Sequence, residues 1–135
     1  MNRMLNIFIA ASILLVSNLV GVEGISIAQD AIFMSGEASW YSELDPGILL
    51  TTSNMEIFDD ERYTCAIWGV PFNTLIKVTN VANGRSIIVR VNDRGPAKRL
   101  VHCGRVIDLT KSAFSKLADT GEGLIRVELN ILPNC

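Results

Sequence analysis

The sequence predicts a mainly β fold: a small barrel of short strands with one short helix, at about residues 110–119. Three observations predict it. Aliphatic residues come in short runs that alternate, as in Arg85–Val91. There Ile87, Val89 and Val91 share one face, while Ile88, Arg90 and Asn92 share the other. Asp45-Pro46-Gly47 and Asn83-Gly84 are strong turn signals between such runs. One stretch alone has helical spacing, with Ala113, Phe114, Leu117 and Ala118 on a single stripe.

The elements follow in order. Glu37–Tyr41 is a first short strand, and Thr74–Val81 with Arg85–Val91 flank the Asn83-Gly84 hairpin dipeptide. Arg105–Leu109 is the next strand, and Gly123–Leu132 the last. Asp108 or Thr110 can cap the helix, and Gly121 can end it. Short strands of this number close most simply into a barrel, which removes their exposed edges. Each buried Leu, Ile or Phe contributes about 1.5–3 kcal/mol, enough in sum for a core without metal.

The chain has 135 residues, which suits one ordinary domain. Its first segment is of another kind. Arg3 precedes the apolar run Leu5–Val20, broken only by Asn6, Ser12, Ser17 and Asn18. A membrane span needs about 20 apolar residues, so this pattern fits a secretory signal peptide better. Ser26-Ile27-Ala28 places the cut before Gln29, with Val22-Glu23-Gly24 as a second candidate. The expected organisation is a signal peptide at 1–28 and a barrel at 29–135. The mature chain is then exported to the periplasm or the extracellular cell wall, with no membrane association after cleavage.

Several function classes fall. Twelve Lys and Arg stand against 14 Asp and Glu, a net charge of −2, whereas nucleic-acid binding normally needs a basic face. One His and three Cys without a CxxC complete no common zinc or redox motif, so no metal or cofactor is expected. In an oxidising compartment Cys65 and Cys103 are the favoured disulfide, because Cys135 is terminal; buried thiols are the alternative.

Two segments concentrate reactive side chains. Val91-Asn92-Asp93-Arg94-Gly95-Pro96 ends an apolar strand abruptly and leaves Asp93 at a rim. On the apolar face, desolvation would favour its protonated form, while Arg90 and Arg94 would favour the carboxylate. The plainer reading is a turn cap or a pair with Arg94. In the second segment, Thr51–Glu61, four carboxylates fall together, with Glu56 and Asp59 three apart. Such a run is usually a solvated loop, and otherwise supplies a carboxylate opposite Asp93. His102 and Cys103 are adjacent and point apart on a strand, so they make a poor dyad. Trp40, Tyr41 and Trp68 are a possible sugar-stacking set or core aromatics.

Gly36-Glu37-Ala38-Ser39-Trp40-Tyr41, Val70-Pro71-Phe72-Asn73-Thr74, Asn83-Gly84-Arg85-Ser86, Val89–Pro96 and Gly104–Thr110 stand in a fixed order. Together they resemble the rare lipoprotein A (RlpA) family of septal-ring lytic transglycosylases. The resemblance implies a six-stranded double-psi β-barrel. It implies cleavage of the MurNAc–GlcNAc bonds of peptidoglycan strands, stripped of their peptides, to 1,6-anhydro-MurNAc products. The cell-division machinery is an implied partner. By the same resemblance Asp93, Glu56 and Asp59 are the catalytic candidates, and Trp40, Tyr41, Asn92 and Arg94 the substrate-binding ones.

Two departures matter. The family's catalytic His position holds Ile67, and a turn Gly has become Met55. A weakened enzyme or a non-catalytic, expansin-like wall-binding barrel are the two readings that follow. A protease inhibitor on this barrel is a poorer third, since such relatives are richer in cysteine.

Overall fold

The structure is a computed structural model, and it describes residues 32–134. The expected signal peptide, its cleavage sites and Cys135 lie outside the described residues. Strand β1 (Ile32–Tyr41) begins at Ile32, before Glu37 where the sequence pattern starts. The polar Ser35-Gly36-Glu37 step hides the earlier half, yet both edges of β1 find partners. It runs antiparallel to β6 (Ile125–Ile131) from Ile32↔Ile131 to Ala38↔Ile125, and parallel to β5 (Arg105–Thr110). Gly36 is required at this crossing: a Cβ there would stand 2.5 Å from Val106 Cγ1 and 2.8 Å from the Gly104 carbonyl.

Strand β2 (Thr64–Ala66) is three residues long and wholly buried. It is too short to carry a period, and the sequence pattern does not reveal it. Strand β3 (Leu75–Asn80) pairs antiparallel with β4 (Ser86–Asp93), in close agreement with the expected strands. Their connection is wider than a two-residue turn, because the last pair is Thr79↔Ser86. Gly84 takes φ +74°, as a tight reversal needs, and donates to the Asn80 carbonyl at 2.8 Å. Asn80 and Asn83 instead direct their side-chain amides to the Leu117 carbonyl, at 3.0 and 2.8 Å. The loop is widened where it serves the helical segment beneath it.

Helix α1 (Lys98–Val101) is a single turn without a sequence signal of its own. Helix α2 (Lys111–Ser115) begins where expected, its Thr110 hydroxyl accepting from the Ala113 amide. It ends earlier than residue 119. Turns closed by the Leu117 and Ala118 amides on the Phe114 carbonyl carry the chain on, and Asp119 caps a separate 3-10 turn at Thr120–Glu122. Gly121 sits in that turn, and Gly123, at φ +69°, ends it.

The six strands close in the order β1-β5-β2-β4-β3-β6, with parallel pairs at β1/β5 and β2/β4. Ile67, Ile76, Val78, Val89, Val91, Ile107, Leu109 and Leu129 fill the barrel, with Phe114 and Leu117 closing it from the α2 side. No helix among the described residues is long and apolar enough to cross a membrane.

The Cys65–Cys103 bridge does not form; both are free thiols, Cys65 buried and Cys103 exposed. The register explains the correction. Cys65 pairs with Leu109 on β5, and Cys103 precedes the start of that strand. At about 3.3 Å per strand residue the two cysteines are far beyond the ~7 Å Cα separation that a disulfide spans.

Candidate active site

The pairing register builds the site. Ser39 on β1 lies beside Asp108 on β5; Asp108 lies beside Ala66 on β2; Ala66 lies beside Asp93 on β4. One row across four strands therefore carries two carboxylates with a methyl group between them. Two strand spacings separate their backbones, about 9–10 Å. Gly95 crosses above this row, where an added Cβ would meet Ala66 Cβ at 3.2 Å and Asp108 Oδ2 at 3.5 Å.

Asp93 is half-buried, and its Oδ1 is fixed from three sides. It accepts from the Ser53 amide at 2.9 Å, the Ser53 hydroxyl at 2.6 Å and the Arg94 amide at 2.8 Å. Among the described residues Oδ2 has no such partner. The carboxylate faces a depression of about 560 Å³ lined by Tyr41, Ser53, Met55 and Arg94 along with Gly47–Leu49. Asp93 does not pair with the Arg94 guanidinium. That group donates to the Ile67 and Val70 carbonyls, at 3.1 and 2.9 Å, and lies 3.8 Å above the Phe72 ring. Arg94 thus braces the 67–72 turn beside the site.

Asp108 takes the Ser39 hydroxyl as a donor. Burial pushes its carboxyl above the usual range and Asp93 adds to the rise, while Ser39 and Arg105 pull the other way. Tyr41 stacks on Phe58 with centroids 4.7 Å apart, and its hydroxyl is buried without a partner. Burial first, then the charge of Asp93, raises that phenol above its ordinary value.

The remaining carboxylate candidates line a different depression from the one Asp93 faces. Glu56 is gripped by Arg90 through two oxygens, at 2.6 and 2.9 Å, and also accepts from Asn54 at 2.8 Å and Asn92 at 3.2 Å. The Arg90 hydrogen bonds hold its pKa down at about 2. It lines a smaller neighbouring depression with Asp59, Arg62, Thr64 and Asn92. Asp59 is an exposed turn residue whose carboxylate takes the Glu61 amide at 3.0 Å and lies 3.4 Å from Arg62. Asn92 is buried, and its side-chain amide holds Glu56.

Trp40 also differs from its expected place. Its indole N–H donates to the Thr120 carbonyl at 3.0 Å, Lys111 lies 5.6 Å above its ring, and it packs against the core. Of the two aromatic candidates, only Tyr41 reaches the Asp93 depression. Ile67, at the family His position, is 1% exposed inside the barrel. His102 is exposed at the end of α1. Asp108 and Ser53 are the residues that sequence reasoning did not select. Asp108 did carry a signal: a carboxylate between Ile107 and Leu109 is out of pattern in an apolar strand.

The site is thus a carboxylate row on a closed six-stranded barrel, with Asp93 at a surface depression. The family described as "Lytic transglycolase" matches residues 34–129 of this chain. The "Endolytic peptidoglycan transglycosylase RlpA" of Vibrio cholerae is 43% identical over 98 residues, covering 73% of this chain and 35% of that one. The "Probable endolytic peptidoglycan transglycosylase RlpA" of a Nostoc species is 42% identical over 97 residues, covering 72% and 25%. The chain belongs to the RlpA-like lytic transglycosylase family, with its double-psi β-barrel, and spans between a quarter and about a third of the length of these relatives.

Two solved structures share the fold. A Streptomyces papain inhibitor superposes with TM-score 0.59 at 24% identity, covering 76% of this chain and 96% of that one. A Clavibacter michiganensis expansin gives TM-score 0.58 at 21% identity, covering 77% and 52%. At such identities the likeness is one of fold alone.

Proposed function

We propose that this chain is an exported peptidoglycan lytic transglycosylase that cuts the MurNAc–GlcNAc bond of peptide-stripped strands. The observation that carries the reading is Asp93, fixed through Oδ1 by Ser53 and Arg94, with Oδ2 left toward the Tyr41 depression. In the first step protonated Asp93 gives its proton to the glycosidic oxygen and the C1–O bond of MurNAc breaks. The muramyl C6 hydroxyl oxygen then bonds to C1, and the Asp93 carboxylate takes that hydroxyl's proton. The acid is restored, no water is consumed and the product is a 1,6-anhydro sugar.

The environment supports this sequence. Ser53 and the Arg94 amide hold the carboxylate in one orientation, so little is lost to rearrangement at the moment of reaction. Burial biases Asp108 toward its neutral form. Once it has given up its proton, the Asp93 carboxylate faces the positive charge that develops at C1. Glu56, locked ionised by Arg90, builds the neighbouring wall and tethers Asn92. With Ile67 in the core there is no imidazole beside Asp93, and assistance of that kind is worth about 10²–10⁴-fold. The proposed enzyme is accordingly slow. Its setting outside the cytoplasm rests on the signal-peptide pattern of residues 1–28, and work beside the cell-division machinery rests on the family resemblance.

A second reading is a barrel that binds wall glycan without cutting it. Glu56 committed to Arg90, and Ile67 in place of His, favour it. Digestion of peptide-stripped peptidoglycan, with mass spectrometry of the products, separates the two. Anhydro-muramyl products that vanish in Asp93→Asn support the enzyme. Intact strands that still bind the variant support the binding barrel.

A further inference from the structure

The family site leaves an exposed tryptophan unused. Trp68 is 42% exposed, yet its position is fixed. Its indole N–H donates to the Pro96 carbonyl at 2.7 Å. The turn that carries it is fastened at both ends to the Asp93 segment. The Ile67 amide donates to the Asp93 carbonyl at 3.3 Å, and Arg94 holds the Ile67 and Val70 carbonyls. Trp40 contrasts with it, since that ring packs against the core. A large, solvent-facing ring held without rotamer freedom binds a flat ligand at small entropic cost.

Charge gathers at the same rim. Lys98 Nζ lies 5.3 Å above the Trp68 ring. Lys98 and Arg99 are exposed neighbours on α1, and neither meets a carboxylate within ion-pair distance among the described residues. Pro96-Ala97-Lys98-Arg99-Leu100-Val101-His102 contains no acidic residue, although the whole chain carries a net charge of −2. Pro96, to which Trp68 is bonded, is three residues past Asp93, a reach of at most about 11 Å. A glycan strand cut at Asp93 and running toward this rim would meet the ring within a sugar or two.

We propose that Trp68, Lys98 and Arg99 form a subsite for an anionic amino sugar next to the point of cleavage. The sugar's apolar face stacks on the indole, and its carboxylate meets the two cations. In a peptide-stripped strand that carboxylate is the free lactyl group of MurNAc, which an attached stem peptide converts to an amide. The subsite thus selects muramyl residues that have lost their peptides. It rests on the glycan reading above and deepens it.

The test uses Asp93→Asn, so that strands are bound and not consumed, and calorimetric titration with three probes. These are peptide-stripped peptidoglycan strands, strands that keep their peptides, and chitooligosaccharides, which have the same backbone without the lactyl group. Trp68→Ala should weaken binding of stripped strands about tenfold, as loss of one stacked ring does. Lys98→Ala with Arg99→Ala should weaken stripped strands by a similar factor and leave chitooligosaccharides within about twofold. These positions are exposed, and circular dichroism checks that the barrel is intact. Unchanged affinity in Trp68→Ala overturns the subsite while leaving the glycan reading in place. Peptide-bearing strands that bind as tightly, with the same dependence on Lys98 and Arg99, overturn the lactyl assignment. No binding of any probe by the parent Asp93→Asn, with no anhydro product from the wild type, overturns both.

Discussion

Asp93 and Asp108 flank Ala66, one on each of the strands that pair with β2, and Gly95 lies over the gap between them. The pair is asymmetric. Asp93 is held by three donors at one oxygen, whereas Asp108, also half-buried, has a single hydroxyl donor, Ser39, and burial raises its pKa. Hydrogen bonds of the first kind fix a carboxylate in place; burial of the second kind penalises its charge.

Replacement of the two should have opposite balances of activity and stability. Asp93→Asn is expected to lower production of anhydro-muramyl ends by at least about 10²-fold, the usual worth of acid–base assistance. Asp108→Asn should also slow the reaction, but it removes a carboxyl whose charged form burial disfavours. The penalty of that charge is absent below the unfolded pKa and is felt as pH rises through the raised folded value. Asp108→Asn should therefore gain stability relative to wild type as pH rises from 4 to 8, read from urea midpoints. A variant equally destabilised at every pH would contradict this account.

Glu56 predicts the reverse pH dependence. Its pKa falls from 4.5 to about 2 on folding, chiefly through the Arg90 hydrogen bonds. The stabilisation is present above pH 4.5 and lost as pH falls toward 2. The side chain is 37% exposed, so solvent screening reduces its worth. Glu56→Gln should cost about 1–2 kcal/mol at pH 7, and the gap should close in melts taken toward pH 2.

Met55 stands at φ +72° with 81% of its surface exposed, in the turn where the family has glycine. A left-handed non-glycine residue costs about 1–2 kcal/mol, and glycine gives back part of that through its freer unfolded chain. Met55→Gly should raise stability by about 0.5–1 kcal/mol. Denaturant midpoints measure it; an unchanged or lower midpoint would mean that the Met55 side chain holds the loop.

The thiols offer a check on the corrected disulfide. Burial raises the Cys65 thiol, and no part of that residue is exposed. Alkylation of the native protein followed by peptide mapping should label Cys103 and spare Cys65 until denaturant is added. Recovery of a peptide joining Cys65 to Cys103 without reduction would refute the assigned register.

Much of the barrel could be read from local pattern. β3, β4, β5 and β6 alternate strongly enough to show their period, and Thr110 announces the start of α2. β2 could not be read, because Thr64-Cys65-Ala66 is buried throughout and has no polar face to alternate with. The helix end was misjudged for a related reason. Leu117 and Ala118 are buried by separate turns past Ser115, which satisfy the same apolar spacing without continuing the α-helix.

The sequence by itself determined the family, most of the strands, the abrupt strand end at Asp93 and the loss of the family His at residue 67. These are local properties: each depends on side-chain type and on neighbours along the chain. The tertiary structure alone decided which groups hold each carboxylate. Glu56 and Asp59 follow the family spacing, yet Arg90, 34 residues from Glu56, captures the first, and the surface keeps the second. Ser39 and Asp108 are 69 residues apart and meet only because β1 and β5 run in parallel register. Register is set by closure of the whole barrel. No window of sequence contains it.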